Sequence, residues 1–388
     1  MKRLRRMIVV RHALDYARPV ASRRGRRRLW PWVLLGLVCA LAGYLLWWPA
    51  PIDPLPTPAA KVPEATGPLA VNEALRKAER LSTAVGDGGR GPETLAFDGN
   101  GRIYAGTHDG RIVRMKTDGS GLEVFTNTYG RPLGLAFDAK KNLIVADAKK
   151  GLLSVDQKGN VTNLATEAGG VRIGFADDLD IAEDGRIYFS DASTRFGYGD
   201  HVLDLLEGRP NGRLLRYDPA TRTTEVLIPD LYFANGVALA EDESFVLVNE
   251  TARLRITRYW LSEKKAGERD FFAEDLPGYP DGIARGTKGR FWVAIFAPVK
   301  EDAQWLAPRP FVKKIVARLP RRLWPAPQRY GYALALDHEG HILETLQDPT
   351  GSQVFNITSA EEHNGSLYLG TLEAPHIGRL RLEAAKKQ

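Results

Sequence analysis

At 388 residues the chain exceeds one small core, and its 38 Gly and 24 Pro favour many turns over long helices. Its formal net charge of +7 is misleading: residues 1–29 hold eleven Lys/Arg and one Asp, a net of +10, which leaves −3 for the rest. The bulk of the protein is mildly acidic, and a basic groove for nucleic acid is excluded as an expectation.

The basic tail, residues 1–29, runs into WPWVLLGLVCALAGYLLWW, Trp30 to Trp48, nineteen residues without a charge. That length matches the hydrocarbon core of a bilayer, and Trp30, Trp32, Trp47 and Trp48 sit at its ends, where amphipathic rings prefer headgroup depth. Arg23, Arg24, Arg26, Arg27 and Arg28 precede it. The positive-inside rule then predicts a cytoplasmic N-terminus and a single-pass protein whose remaining residues lie on the exported side, periplasmic or extracellular. No small-x-small cleavage site follows, so an uncleaved signal anchor is expected over a removed signal peptide. The Arg pair after Ser22 lacks the rest of a twin-arginine motif. Residues 49–74 are rich in Pro and Ala and read as a semi-rigid spacer. The single cysteine, Cys39, falls inside the apolar run, which excludes disulfides, zinc-thiolate centres and cysteine nucleophiles beyond it.

From about residue 90 onward the sequence repeats itself, within an expected propeller domain of residues 75–388. The unit is a short apolar strand, an acidic or Gly turn, and a second strand rich in Ile, Tyr and Val: GPETLAFDGNGRIYAG, RPLGLAFDAKKNLIVAD, FADDLDIAEDGRIYFSD, FANGVALAEDESFVLVNE, YPDGIARGTKGRFWVAI and ITSAEEHNGSLYLG. A further strand follows most units (GRIVRM, GLLSVD, GRLLRYD, LRITRYWL, IGRLRL). Six repeats of this length predict an all-β six-bladed β-propeller, each blade a four-stranded sheet that buries its faces only against its neighbours. An insertion, residues 297–328, interrupts the fifth blade. The ring would close by the segment Ala78 to Thr83 supplying the outer strand of blade six. A β-sandwich or barrel would use similar hairpins but would not need the long-period repeat.

Where each blade starts its innermost strand, the side chains can converge on the central channel. That position reads Glu93 (GPET), Leu133 (RPLG), Asp177 and Asp178 (FADDL), Asn235 (FANG) and Asp281 (YPDG). Four of the six blades thus offer hard oxygen donors at one level, a set suited to Ca²⁺ ahead of Mg²⁺ or Mn²⁺. The bland reading of Asp-Gly and Asn-Gly is that of turn dipeptides, which suits one pair better than four coincident positions.

The units GPETLAFD, GRPLGLAFD, FADDLDIAEDGRIYFSDAS, GRLLRYD, FANGVAL, LPGYPDGI and EEHNGSLYLGTL resemble the strictosidine synthase-like and adipocyte plasma membrane-associated protein-like family over roughly residues 72–385. That family stands within the wider group of gluconolactonases and paraoxonases. The resemblance implies a propeller with calcium at its centre and, often, lactonase or arylesterase activity. It places Glu93, Asn235 and Asp281 on the family's calcium ligands, Asp177 where relatives usually have a ligand Asn, and Asp178 on the acidic residue after it. Gly282 replaces an Asn that some relatives carry. Two departures stand out: Leu133 occupies the place of a paraoxonase channel His, and Thr358 aligns with the carboxylate that strictosidine synthases use, which argues against alkaloid condensation.

The function expected from this reading is metal-assisted hydrolysis of a small-molecule lactone or ester, with Asp281 as the first choice of base and Asp178 the second. The alternative is a non-enzymatic propeller that binds a small molecule or protein and uses calcium structurally. Ser190, Ser193, Asp191 and His201 could be assembled into a hydrolytic triad, but no strand–GxSxG–helix elbow accompanies them. His108, His338, His341, His363 and His376 are expected at the surface. Sequons at Asn249, Asn356 and Asn364 are the kind that arise by chance. Within WLAPRPFVKKIVARLPRRLW, Phe311, Ile315, Val316 and Leu319 recur at helical spacing beside five basic residues. This segment reads either as a lid or headgroup-facing patch, or as a helix packed on the propeller with its charges solvated. A second insertion, Phe196 to Gly208, could shape the same rim.

Overall fold

The computed structural model describes residues 30–262 and 264–382. The basic tail, residues 1–29, lies outside the described residues. The chain divides after Pro49 into two units, Met1–Pro49 and Ala50–Gln388. In the first, helix α1 (Trp30–Trp47) is apolar on every side and buries none of its residues. It is long and apolar enough to cross a membrane.

The second unit is a six-bladed propeller. Each blade is a four-stranded antiparallel sheet, and five of the six take their strands in chain order from the inside out. Blade six differs: its strands Ile357–His363, Ser366–Thr371 and His376–Arg381 are completed on the outside by Glu79–Ser82, which pairs antiparallel with the last of them. The N-terminal strand thus closes the ring, as the segment before the first repeat predicts. The core lies between blades rather than at one centre. Leu179, Phe189 and Leu215 of blade three pack on Ile144, Ala146 and Leu152 of blade two, for example, and similar clusters fill the other junctions. A sheet with both faces apolar has no other way to bury them.

The inner strands do not start regularly. The register slips between Pro132 and Gly134, Ala176 and Leu179, Ala234 and Val237, Pro280 and Ile283, and Ile357 and Ser359. A bulge at the head of a strand bends it and re-aims the extra residue. The residues released from the ladder are Leu133, Asp177 and Asp178, Asn235 and Gly236, Asp281 and Gly282, and Thr358. Two glycines make this packing possible. A Cβ on Gly236 would lie 2.5 Å from the backbone O of Asp281 and N of Ile283, and one on Gly282 would lie 2.4 Å from the O of Thr358. Only a bare Cα lets one bulge nest against the next.

Both insertions leave the sheet from the end of a second strand, beside these bulges. The blade-three insertion carries helix α2 (His201–Glu207); that of blade five carries α3 (Glu301–Leu306) and α4 (Pro310–Arg318). Helices α2 and α4 touch, forming a cap. Residues 52–57, expected as part of a spacer, are instead docked on it. Leu55 N donates to Glu207 O, Thr57 N to Ala307 O, and Ile52 is buried among Phe196, Leu203 and Ala317. Farther along, the Asn72 amide donates to Thr345 O on the outer strand of blade five.

Candidate metal centre at the channel mouth

The bulges place Asp177, Asp178, Asn235 and Asp281 at one end of the channel, and Glu93 joins them from just ahead of the blade-one inner strand, Leu95–Phe97; all are buried except Asp281, which is partly accessible. Their electrostatics report their proximity. Asp177 is held well above the ordinary carboxylate range by burial, then by the charges of Asp281, Glu93 and Asp178. Asp281 is raised as strongly, by burial and then by Glu93 and Asp178, with a side-chain hydrogen bond to Asn235 opposing. Asp178 is pushed up to about 7 by burial, offset by the backbone N–H groups of Val237 and Leu179.

Glu93 has a second partner. The Arg131 side chain is fully buried and donates through Nη2 to Glu93 Oε1 at 2.5 Å and through Nη1 to Gly91 O at 3.0 Å. Burial raises Glu93, and this guanidinium works against it. The site therefore combines several carboxyl groups with one fixed cation. Asp281 is held from behind as well: its backbone O accepts from Asn249 Nδ2 at 2.6 Å, and Thr251 Oγ1 donates to Pro280 O. Ser359 Oγ donates to Glu93 O, tying blade six to blade one.

The donor chemistry fits a hard divalent cation: carboxylate and amide oxygens from four blades, buried, with a deficit of positive charge. Glu93, Asp177, Asn235 and Asp281 are the residues that would hold it. Among the described residues, the one trio of acidic or imidazole side chains whose ligand atoms all lie within 4.8 Å of one another is elsewhere, Asp337, Glu339 and His341 on a hairpin of blade five. There Asp337 already accepts from the N–H groups of Glu339 and His341 and from His341 Nδ1, so the trio is a self-satisfied turn. Two surface hollows also lie among other residues, one bordered by Arg285, Arg290 and His338 and the other by Asn127, Tyr129 and Lys150.

Several residues near the axis escape the sequence reading. Asp180, two positions after Asp178, accepts from Leu239 N at 2.9 Å and faces Arg285. Glu361 on the blade-six inner strand is raised well above its usual value by burial and then by Asp178 and Asp180, with Arg285 opposing. The period-two spacing of Asp178 and Asp180 was a legible signal for a column of acids, whereas Glu361 depends on how blade six closes. Thr358 Oγ1 is buried without a partner among the described atoms.

His108 is the main correction among the histidines. It is half-buried at the rim, where its Nδ1 lies 2.7 Å from the Tyr198 hydroxyl and its Nε2 2.6 Å from Leu372 O. The carbonyl can only accept, so Nε2 carries the proton and the phenol donates to Nδ1. Tyr198 comes from the blade-three insertion and packs on the apolar cluster of Leu133, Phe175 and Phe233. An imidazole thus reaches the neighbourhood of Leu133 from another blade. His363 stacks on Phe97 and His376 is half-buried, while His338 and His341 are exposed as expected. No triad forms from Ser193, which donates to Asp204; Asp191 is paired with Arg213. Asn249 and Asn356 are buried and bonded, which removes them as glycosylation sites.

The strictosidine synthase family model matches residues 177–264, and the strictosidine synthase-like N-terminal model matches residues 67–115. Adipocyte plasma membrane-associated protein of Bos taurus is 37% identical over 370 residues, covering 89% of this chain and 88% of that protein. Among solved structures, a gluconolactonase from Xanthomonas campestris superposes with a TM-score of 0.57 at 18% identity, covering 86% of this chain and 98% of its own. The calcium-binding protein regucalcin from Agrobacterium tumefaciens gives a TM-score of 0.52 at 14% identity, covering 75% and 92%. The two structures share the fold. The sequence match runs nearly end to end, and on it the chain belongs to the strictosidine synthase-like family of six-bladed propellers that includes the adipocyte plasma membrane-associated proteins.

Proposed function

We propose that this protein is a membrane-anchored, calcium-dependent hydrolase of lactones or aryl esters. The observation that carries the reading is the set of carboxylates and one amide that strand bulges of three blades, together with Glu93 of blade one, hold at the channel mouth. Glu93, Asp177, Asn235 and Asp281 would hold Ca²⁺, which when bound polarises a carbonyl and stabilises developing oxyanion charge. The gluconolactonase and regucalcin folds support the class of chemistry and of ion.

The chain's own groups supply the rest. Asp281 is the favoured base, because it is more accessible than Glu93, Asp177 and Asn235 and its environment favours holding a proton. Asp178 is the second choice, poised at about 7 but engaged by Val237 N. Leu133, Phe175 and Phe233 form an apolar wall that would receive the acyl or aryl part and exclude water. On this reading helix α1 is the anchor, and the Arg-rich residues before it favour a cytoplasmic N-terminus with the propeller outside.

The test is hydrolysis of a panel of lactones and aryl esters by the purified full chain with Ca²⁺ or with chelator. Activity that needs the ion and is lost in Asp281→Asn, with melting behaviour preserved, is the expected result. A folded, ion-loaded protein that cleaves nothing removes the reading. A second reading, a calcium-stabilised binding propeller, is favoured by Leu133 and Thr358, which stand where relatives carry His and Glu. On that reading Asp281→Asn changes little.

A further inference from the structure

The cap over the channel mouth has an unusual outer surface. Helix α4 is turned inside out: Lys313 and Ala317 lie on its packed face, while Phe311 is 57% exposed. Trp305 and Leu323 of the same insertion are 55% and 58% exposed. An isolated globular domain turns such side chains inward and its lysines outward. The charge of this surface is equally uneven. Residues 298–329 carry eight Lys/Arg, all but Lys313 outside the packed core, against Glu301 and Asp302, within a chain that is net negative beyond its N-terminal tail.

The buried lysine has a structural task. Lys313 Nζ donates to Leu55 O at 3.0 Å and to Thr57 Oγ1 at 3.2 Å, and Asp53 is paired with Arg209 and Lys314. These contacts fasten residues 52–57 to the cap. Ile52, the first buried residue of this strap, follows the last residue of α1, Trp47, by five positions in the chain.

We infer that the outer surface of the cap lies in the headgroup layer of a bilayer containing anionic lipid. Trp305, Phe311 and Leu323 enter the boundary of the acyl region, and the exposed Arg309 and Arg322 meet the phosphates. Exposed aromatic residues interleaved with basic ones are the composition of interfacial helices, and Trp is favoured at that depth. The mouth would then open toward the membrane, and amphiphilic esters or lactones dissolved in the lipid are the substrate class with direct access. This inference rests on α1 being a membrane anchor.

The experiment uses the full chain in vesicles of phosphatidylglycerol and phosphatidylcholine, with Cys39→Ser as background. Single nitroxide labels are attached through Phe311→Cys, Leu323→Cys and, as the aqueous reference, Asn100→Cys on an exposed hairpin of blade one. Each labelled variant is first shown to melt as the unlabelled chain does. Labels at 311 and 323 should be several-fold more accessible to oxygen, and less to a water-soluble nickel chelate, than the label at 100. Arg309→Glu with Arg322→Glu should reduce that protection in vesicles containing phosphatidylglycerol. Equal chelate accessibility at all three positions, in protein that sediments with the vesicles, overturns the inference while sparing the anchor. Protein that fails to sediment overturns both. Spin–spin broadening between labels at 311 or 323 that dilution with unlabelled chain removes overturns it in favour of contact between two copies of the chain.

Discussion

Arg131 and Glu93 form a buried ion pair at the mouth of the channel, the guanidinium reaching across from blade two to a carboxylate of blade one. Arg131 thus competes with any cation for the same oxygen and offsets some of the repulsion among the neighbouring carboxylates. Removing it leaves a buried acid uncompensated. Arg131→Met should destabilise the chelated protein by about 3–5 kcal/mol, as for other broken buried pairs. Added Ca²⁺ should restore more stability to the variant than to the wild type. Melting curves with and without the ion check both halves.

The raised carboxylates give a pH dependence with a definite sign. Asp177 and Asp281 are held well above their usual range and Asp178 near 7, so between about pH 4 and 7 the folded state binds more protons than the unfolded state. Stability in chelator should therefore fall as pH rises through that interval. A bound cation favours the ionised forms, so the stabilisation by Ca²⁺ should grow over the same interval. Melting temperatures at pH 5, 6, 7 and 8, with and without the ion, decide it. A chelated protein that becomes more stable with rising pH contradicts the described site.

The bulges should not tolerate a side chain. Gly282→Ala forces a Cβ to within 2.4 Å of Thr358 O, a backbone atom that cannot swing away. The expected cost is about 1–3 kcal/mol, with a larger loss of ion affinity than of secondary structure. Denaturant midpoints and calcium titration by calorimetry measure the two effects separately.

The phenol–imidazole contact at the rim makes a further distinction. Burial, then the charge of Arg131, lowers His108, and burial raises Tyr198, so both are neutral around pH 7. Tyr198→Phe keeps the ring packing while removing the donor to His108 Nδ1. If the pair moves a proton during hydrolysis, turnover falls by roughly 10²-fold or more and the pH profile changes. With Asp281 alone as base, turnover changes little.

The strap responds to one residue. Burial lowers Lys313 to about 8, and its ammonium is satisfied by Leu55 O and Thr57 Oγ1 rather than by an acid. Lys313→Met keeps the bulk but removes both hydrogen bonds. Proteolytic cleavage within residues 49–58 should accelerate while the propeller core stays resistant, read by mass spectrometry of timed digests.

Local pattern alone carries much of this protein. The uncharged run of Trp30–Trp48, the six repeats and the closing strand before residue 90 were legible because period-two alternation and long-period repetition are properties of contiguous sequence. The start of the inner strands was also readable as the place of Glu93, Asp177, Asn235 and Asp281, since each stands at the same point in its repeat. What tertiary structure decided is whatever depends on contacts between blades or between insertions. Arg131 pairs with Glu93, Glu361 comes under the charge of Asp180, and Tyr198 hydrogen-bonds His108 at the rim, each across more than 35 residues of chain that no periodicity links. Lys313 was expected either toward headgroups or on a solvated face and is buried, because the partner that satisfies it is a backbone carbonyl some 250 residues away. A buried charge is placed by whatever hydrogen bonds the fold can offer it, and a sequence does not display those.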